Sequence, residues 1–275
     1  MVCLIQNIPV YYEEYGEGKP VLSIHGWPVD HRMMKSCLEP IFSKIQGYRR
    51  IYIDLPGMGK TPSASWIKNS DNMLEIVIEF INVVIGEGNF LLFGQSYGGY
   101  LALGLIHKMS ERINGVLLLC AMIDPCENEE NNLPSRQILW KQNQLDFITE
   151  NSSEYKFMDM AVIATPQAHE KWQNNIQPAL ELADMEFLSN CNMWYSTNLQ
   201  KAVAKIVFDK PSCILTGRQD HCVGYKIAYE LVENFPRATF ALLDCAGHLL
   251  EVEREPLFQQ LVKDWVWRLE LHSST

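Results

Sequence analysis

The chain is poor in positive charge. Its 23 lysines and arginines stand against 33 aspartates and glutamates, a net charge of −10 over 275 residues. An acidic surface repels phosphate backbones and anionic headgroups, so nucleic acid and membrane surfaces are excluded as partners. No basic cluster offsets the balance. No stretch reaches the ~18 uninterrupted apolar residues that a membrane-spanning helix needs. The start, Met1-Val2-Cys3-Leu4-Ile5-Gln6-Asn7, lacks the charged leader and apolar core of a signal peptide, so a cytoplasmic location is expected. Cysteines occur at 3, 37, 120, 126, 191, 213, 222 and 245 without any Cys-x-x-Cys spacing. They read as reduced thiols, several of them buried in apolar runs such as those around Cys120 and Cys213. Cys222 and Cys245 lie near His221 and His248, but the spacing fits no structural zinc pattern and no metal is expected. Internal repeats and low-complexity linkers are missing as well.

What is present is ordinary globular material: 47% hydrophobic and 20% charged residues, enough for one large α/β domain or one domain carrying an insertion. Strand-like runs fall at 2–6, 10–15, 21–24, 50–53, 89–93, 115–120, 212–215 and 239–243, the first two joined by a turn around Asn7-Ile8-Pro9. Between them lie helical patterns. Asp30 is placed to cap a helix that Pro40 interrupts, Asp71–Ile85 has apolar residues at helical spacing, and further helices are expected after position 98, over Tyr225–Asn234 and from Pro256. Such alternation predicts an α/β fold with a mostly parallel sheet of about eight strands flanked by helices. From 124 to 204 the rhythm breaks. Large side chains such as Trp140, Phe147, Phe157 and Trp172 dominate there, and Pro134, Pro166 and Pro178 stand at plausible helix starts. The expected organisation is a core of 1–123 and 205–275 with a helical cap, 124–204, inserted after the sixth strand.

Gly94-Gln95-Ser96-Tyr97-Gly98 follows an apolar strand-like run and precedes a helical one. A serine hydroxyl is a weak nucleophile that works only when projected from a rigid turn toward a base. A turn that sharp needs small residues two before and two after the serine, and both are glycine. Asp220 and His248 also follow strand-like runs, giving the order serine, acid, histidine. Asp124 is an alternative acid, because it too follows an apolar strand. Asp244 is too close to His248 along the chain to orient it. His25 reads as structural, and His107, His169 and His221 have no supporting motif. The segment 54–61 ends in Gly-Lys-Thr after a strand, as a phosphate loop does, but Asp54 stands where that loop has glycine. A carboxylate repels phosphate and Pro56 lacks an N–H, so nucleotide binding is rejected and no cofactor is expected.

Taken together, His25-Gly26-Trp27-Pro28, the Asp54–Gly59 segment, Gly94–Gly99, Gly217-Arg218-Gln219-Asp220 and Gly247-His248 make the chain resemble the α/β-hydrolase fold family over nearly its full length. The resemblance implies Ser96 as nucleophile, His248 as base, Asp220 as orienting acid, and the backbone N–H groups of Trp27 and Tyr97 as an oxyanion hole. Trp27, Tyr97, Trp140 and Val223 are candidate pocket residues. Ser96 in place of an aspartate argues against a haloalkane dehalogenase or an epoxide hydrolase, and Trp27 departs from the His-Gly-Gly-Pro of proline iminopeptidases. The expectation is a serine hydrolase, carboxylesterase-like, acting on a small or medium ester as a monomer or homodimer. A carbon–carbon bond hydrolase, a perhydrolase or haloperoxidase-like enzyme, an aminopeptidase-like hydrolase and a small-molecule receptor on the same scaffold remain open alternatives.

Overall fold

The computed structural model describes residues 1–124, 133–150, 152, 154–191 and 206–273; Cys126 lies outside them. Strands β1 (Val2–Ile5) and β2 (Ile8–Tyr15) form a hairpin. Its turn is Gln6 (φ 46°) and Asn7 (φ 66°), a two-residue pair of left-handed residues of the kind that matches strand twist. Pro9 is therefore not in the turn but inside β2, opposite Leu4. The other long strands are β3 (Lys19–Ile24), β4 (Tyr48–Ile53), β5 (Phe90–Gln95), β6 (Ile113–Leu119), β9 (Ser212–Gly217) and β10 (Ala238–Leu243). They form one eight-stranded sheet in the order β1-β2-β4-β3-β5-β6-β9-β10, with β1–β2 and β2–β4 antiparallel and every other pair parallel. The central strands carry apolar side chains to both faces, all buried: Leu22, Leu92, Phe93, Leu117 and Leu118 are fully enclosed. Continuous apolar runs are what a doubly covered parallel sheet requires.

Helices α1 (His31–Phe42), α2 (Ser70–Val84) and α3 (Tyr97–Met109) supply part of that cover. Asp30 caps α1 by accepting from the Arg32 N–H. Contrary to the sequence reading, Pro40 does not end this helix, which continues to Phe42. Ile41 and Phe42 are fully buried, and the Phe42 ring meets Tyr48 and Phe93 edge-on. Two such side chains contribute roughly 1.5–3 kcal/mol each, enough to offset the ~3 kcal/mol that an interior proline costs.

Between β6 and β9 the described residues hold short helices: α4 (Tyr155–Met160), α5 (Pro166–Lys171), α6 (Gln177–Leu182) and α7 (Met185–Asn190). Pro166 and Pro178 stand at helix starts as expected, whereas Pro134 starts none. Two strands of two residues, β7 (Trp140–Lys141) and β8 (Ile163–Ala164), pair in parallel where the sequence suggested no strand; elements so short leave no period to read. A five-residue π-helical turn, Trp172–Ile176, joins α5 to α6. The insertion is tied to the core through Asp184 N–H to the Gly57 carbonyl (2.9 Å) and Cys191 Sγ to the Ile67 carbonyl (3.1 Å).

After β9 comes α8 (Lys226–Glu230), shorter than expected because the chain tightens into a 3₁₀ turn over 231–234. The last helices are α9 (Leu250–Glu253) and α10 (Glu255–Ser273). Buried Trp265 of α10 donates to the Pro211 carbonyl (2.9 Å) and packs edge-on against Phe93.

Backbone packs tightly on backbone where α3 meets the sheet. A methyl group on Gly98 would sit 2.2 Å from the Ile24 carbonyl oxygen, and one on Gly94 2.5 Å from the Gly98 carbonyl oxygen. Neither neighbour is a flexible side chain. Gly98→Ala is therefore expected to destabilise by on the order of 3 kcal/mol, whereas Gly88→Ala, whose nearest neighbour is 3.9 Å away, stays within about 0.5 kcal/mol. Urea denaturation of the two variants checks this; equal midpoints would contradict the packing argument.

Candidate active site

Parallel strands deliver their following loops to one edge of the sheet, and the candidate residues gather there. Ser96 follows β5 and directly precedes α3, on a left-handed backbone of φ 52° and ψ −118°. Such a conformation costs a non-glycine residue of order 1–3 kcal/mol and needs firm support. The support is visible. The Ser96 N–H donates to the Leu119 carbonyl (3.0 Å), and its own carbonyl accepts from Gly99 (2.9 Å) and Met122 (3.0 Å).

Asp220 follows β9 and is fully buried. Its Oδ1 accepts from the N–H groups of Cys222 (2.9 Å) and Val223 (3.1 Å), and its Oδ2 lies 2.9 Å from His248 Nδ1. Burial works against its charge, but the His248 ring and these donors outweigh it and hold the carboxyl below its ordinary pKa. Burial likewise opposes a charged His248, and the Asp220 carboxylate outweighs that too, raising the imidazole pKa. With Nδ1–H donated to Asp220, Nε2 of the neutral ring carries the lone pair. A base so oriented can take a proton from a nearby hydroxyl. Nε2 faces the Gln95 side-chain nitrogen at 3.4 Å, and among the described residues no hydrogen bond joins Ser96 Oγ to His248.

Asp220 rather than Asp124 meets the His248 ring. Asp244 is also turned elsewhere, accepting from Gln219 Nε2 (2.8 Å). His25 is a neutral strut: Nδ1 donates to the Gly26 carbonyl (2.7 Å), Nε2 accepts from the Leu55 N–H (3.0 Å), and complete burial lowers its pKa. Asp54, in the loop after β4, draws donors from two segments: its Oδ1 accepts from the backbone and ring N–H of His31 at the start of α1 (2.9 and 2.7 Å), and its Oδ2 accepts from Lys60 N–H of its own loop (2.9 Å).

Two groups of side chains bring three ligand-type atoms within 4.8 Å: Cys120 with Asp220 and His248, and Asp30 with His31 and Asp54. In both, the carboxylates are already engaged by N–H donors, and Asp30 is forked by the Arg32 guanidinium. These bonds already occupy the carboxylate oxygens, and a resident cation would have to break them.

Ser96 and His248 open onto a cavity of about 650 Å³. Its walls are chiefly apolar, with Trp172, Ile176 and Leu180 from the insertion and Trp27, Met122 and Val223 from the core. Of the four pocket candidates from the sequence, Trp27 and Val223 line this cavity. Two candidates do not. The Tyr97 side chain is fully buried away from the cavity, its hydroxyl 3.0 Å from Ser70 Oγ, because the first residue of α3 turns its side chain toward α2. Trp140 belongs to β7, is 54% exposed and lies outside the cavity wall. Missed by the sequence reading were Gln95, which sits inside the serine motif itself, and Trp172, Ile176 and Leu180, whose spacing of four marks one helical stripe.

Two acids in α9 flank the site from behind. Glu253 accepts from the N–H groups of Val162 (2.5 Å), Ile163 (3.1 Å) and Gly247 (2.7 Å), tying the insertion to the residue before His248. Glu251 is 2% exposed, and among the described residues no other residue donates to either carboxyl oxygen. Burial pushes its pKa up to about 7.

Residues 21–259 match the alpha/beta hydrolase family. The crystal structure of an alpha/beta superfamily hydrolase from Oenococcus oeni superposes with a TM-score of 0.86 at 31% identity, covering 95% of this chain and 96% of that one. The chain is also 24% identical to a proline iminopeptidase of Xylella fastidiosa, over 90% of each chain. It is 23% identical to a pimeloyl-[acyl-carrier protein] methyl ester esterase of Legionella pneumophila, over 94% of this chain and 99% of the relative.

Glu251 makes stability depend on pH in a direction opposite to that of most carboxylates. Its folded-state pKa, about 7, exceeds the ordinary 4.5. Below 4.5 both states hold the proton and the stability is fully present; as pH rises toward 7 the unfolded chain releases its proton first, and folding loses ground. Glu251→Gln is expected to match the wild type near pH 4 and to be more stable by roughly 2–3 kcal/mol at pH 8. Denaturant titrations at the two pH values check it; a gap that does not grow with pH would contradict the assignment.

Proposed function

Because the chain belongs to the alpha/beta hydrolase family, we propose that it is a serine hydrolase cleaving small to medium carboxylic esters through an acyl-enzyme intermediate. The observation that carries the reading is a single constellation. A serine on a left-handed turn opens on the same apolar cavity as an imidazole whose other nitrogen is held by a buried carboxylate. The chemistry follows from these groups. His248 Nε2 takes the Ser96 proton as Oγ attacks the ester carbonyl, and the Asp220 carboxylate stabilises the imidazolium so formed. The carbonyl oxygen, now negative, accepts from the backbone N–H groups of Tyr97 and Trp27, at the start of α3 and in the loop after β3. As the carbonyl re-forms, the C–O bond to the alcohol breaks and His248 returns the proton to the leaving oxygen. Water then repeats the sequence on the acyl-enzyme and frees Ser96.

The insertion, taken as a cap spanning 124–204 over a core of 1–123 and 205–275, adds Met160, Trp172, Ile176 and Leu180 to the apolar wall, with Lys156 and Asp159 beside them, and the chiefly apolar lining favours an apolar acyl or alcohol part. The Legionella relative's methyl ester esterase activity points the same way. The free thiols at the seven described cysteines accord with a cytoplasmic setting.

A fluorophosphonate probe is expected to modify Ser96 and to leave Ser96→Ala untouched. On p-nitrophenyl esters Ser96→Ala should lose at least about 10⁴-fold in rate, and Asp220→Asn about 10⁴-fold. A protein that resists the probe and cleaves no ester across a range of acyl lengths is not a serine esterase. The active form has neutral His248, whose pKa is raised above the ordinary 6.5. kcat/KM is therefore expected to climb with pH through a limb above 6.5, and Asp220→Asn to move that limb downward.

A further inference from the structure

The side chain of Gln95 has no structural partner that explains it. It is 3% exposed and lines the cavity beside Ser96. Among the described residues its Oε1 is buried without a hydrogen-bond partner, and its Nε2 meets only His248 Nε2, at a long 3.4 Å. Turning the amide over would press its oxygen against the lone pair of the neutral imidazole, so the NH₂ end is the one that faces the base. The loop after β3 is cut away to admit this group: a methyl on Gly26 would stand 2.1 Å from Gln95 Oε1. A leucine or methionine would fill the same space with no polar group left unmatched. A buried amide with both ends poorly satisfied, one residue from the serine, is instead a group kept ready for a ligand.

The position of that ligand atom follows from the proton transfer. The leaving oxygen must come within hydrogen-bond reach of His248 Nε2 to receive its proton. An oxygen there on the cavity side is also within reach of the Gln95 NH₂, which substrate entry displaces from the imidazole. We propose that Gln95 is a catalytic residue that donates a hydrogen bond from Nε2 to the leaving-group oxygen of the ester, and so determines how poor a leaving group the protein can expel. This rests on the ester-hydrolase reading of the site. The bond that breaks is the acyl C–O bond. Its electron pair goes to the leaving oxygen, the proton comes from His248, and Gln95 gives a hydrogen bond without giving up a proton. Activated phenolates need little such help; alkoxides need it most.

The test is the leaving-group dependence of kcat/KM across p-nitrophenyl, phenyl, trifluoroethyl and ethyl acetates, for the wild type, Gln95→Leu and Gln95→Met. The wild type is expected to show a shallow dependence. In both variants the ethyl ester is expected to fall about 10- to 100-fold further than the p-nitrophenyl ester, the loss typical of one donor removed from a developing negative charge. Fluorophosphonate labelling of Ser96 reports whether each variant is folded. A loss that runs parallel across the four esters, or no loss, overturns the leaving-group role while leaving Ser96 chemistry intact. A steep dependence in the wild type overturns it even if neither variant folds. A wild type that cleaves none of the four and resists the probe overturns the ester reading itself, and this role with it.

Discussion

The first turn of α3 lies so close to the sheet that, at Gly98, there is no room for a side chain between its backbone and the Ile24 and His25 carbonyls. That contact sets the positions of three things at once: the end of β3 at Ile24, the sharp exit of β5 at Ser96, and the Gly26-Trp27 loop packed against Ser96 Cβ. Protein interiors are too dense to absorb a shift at such a point locally. The left-handed Ser96 backbone is tolerable for the same reason. Hydrogen bonds to Leu119, Gly99 and Met122 come from two other segments, so relaxing the serine would require moving β6 and α3 together.

The second organising device is the buried or half-buried carboxylate. Asp54, Asp220 and Glu253 each gather backbone N–H groups from neighbouring segments: His31 and Lys60, Cys222 and Val223, and Val162, Ile163 and Gly247 respectively. Charge-assisted bonds of this kind are about twice as strong as neutral ones, so each acid fixes a loop that the sheet alone would leave loose. Between Asp220 and Glu253 they hold both sides of His248. Among the described residues Glu251 has no such donors from its neighbours, and burial is the largest influence on its protonation.

The central strands β5, β6 and β9 were legible because strands buried on both faces are written as unbroken apolar runs. The serine motif was legible because the glycines at 94 and 98 are demanded by backbone geometry. Other positions were not. Pro40 reads as a stop, and only the tertiary burial of Ile41 and Phe42 carries α1 past it. Pro9 reads as a turn residue, yet the left-handed pair is Gln6-Asn7. In the insertion, core and cavity residues are equally apolar, so composition cannot tell Trp172 on the wall from Trp140 in the open. Tyr97 shows the limit from the other side: adjacency to the serine in sequence gives its backbone a place at the site, while its side chain points into the fold.

The loop from Asp54 to Thr61 has the outline of a phosphate cradle, with a strand before it and backbone N–H groups turned inward, but it encloses a carboxylate of its own. An anion attached to the loop by two bonds competes at an effective concentration that no dissolved phosphate reaches. The loop is in this sense permanently ligated. Its carboxylate serves as the fastener between β4 and the first turn of α1, and a nucleotide arriving there would find the seat taken by the chain itself.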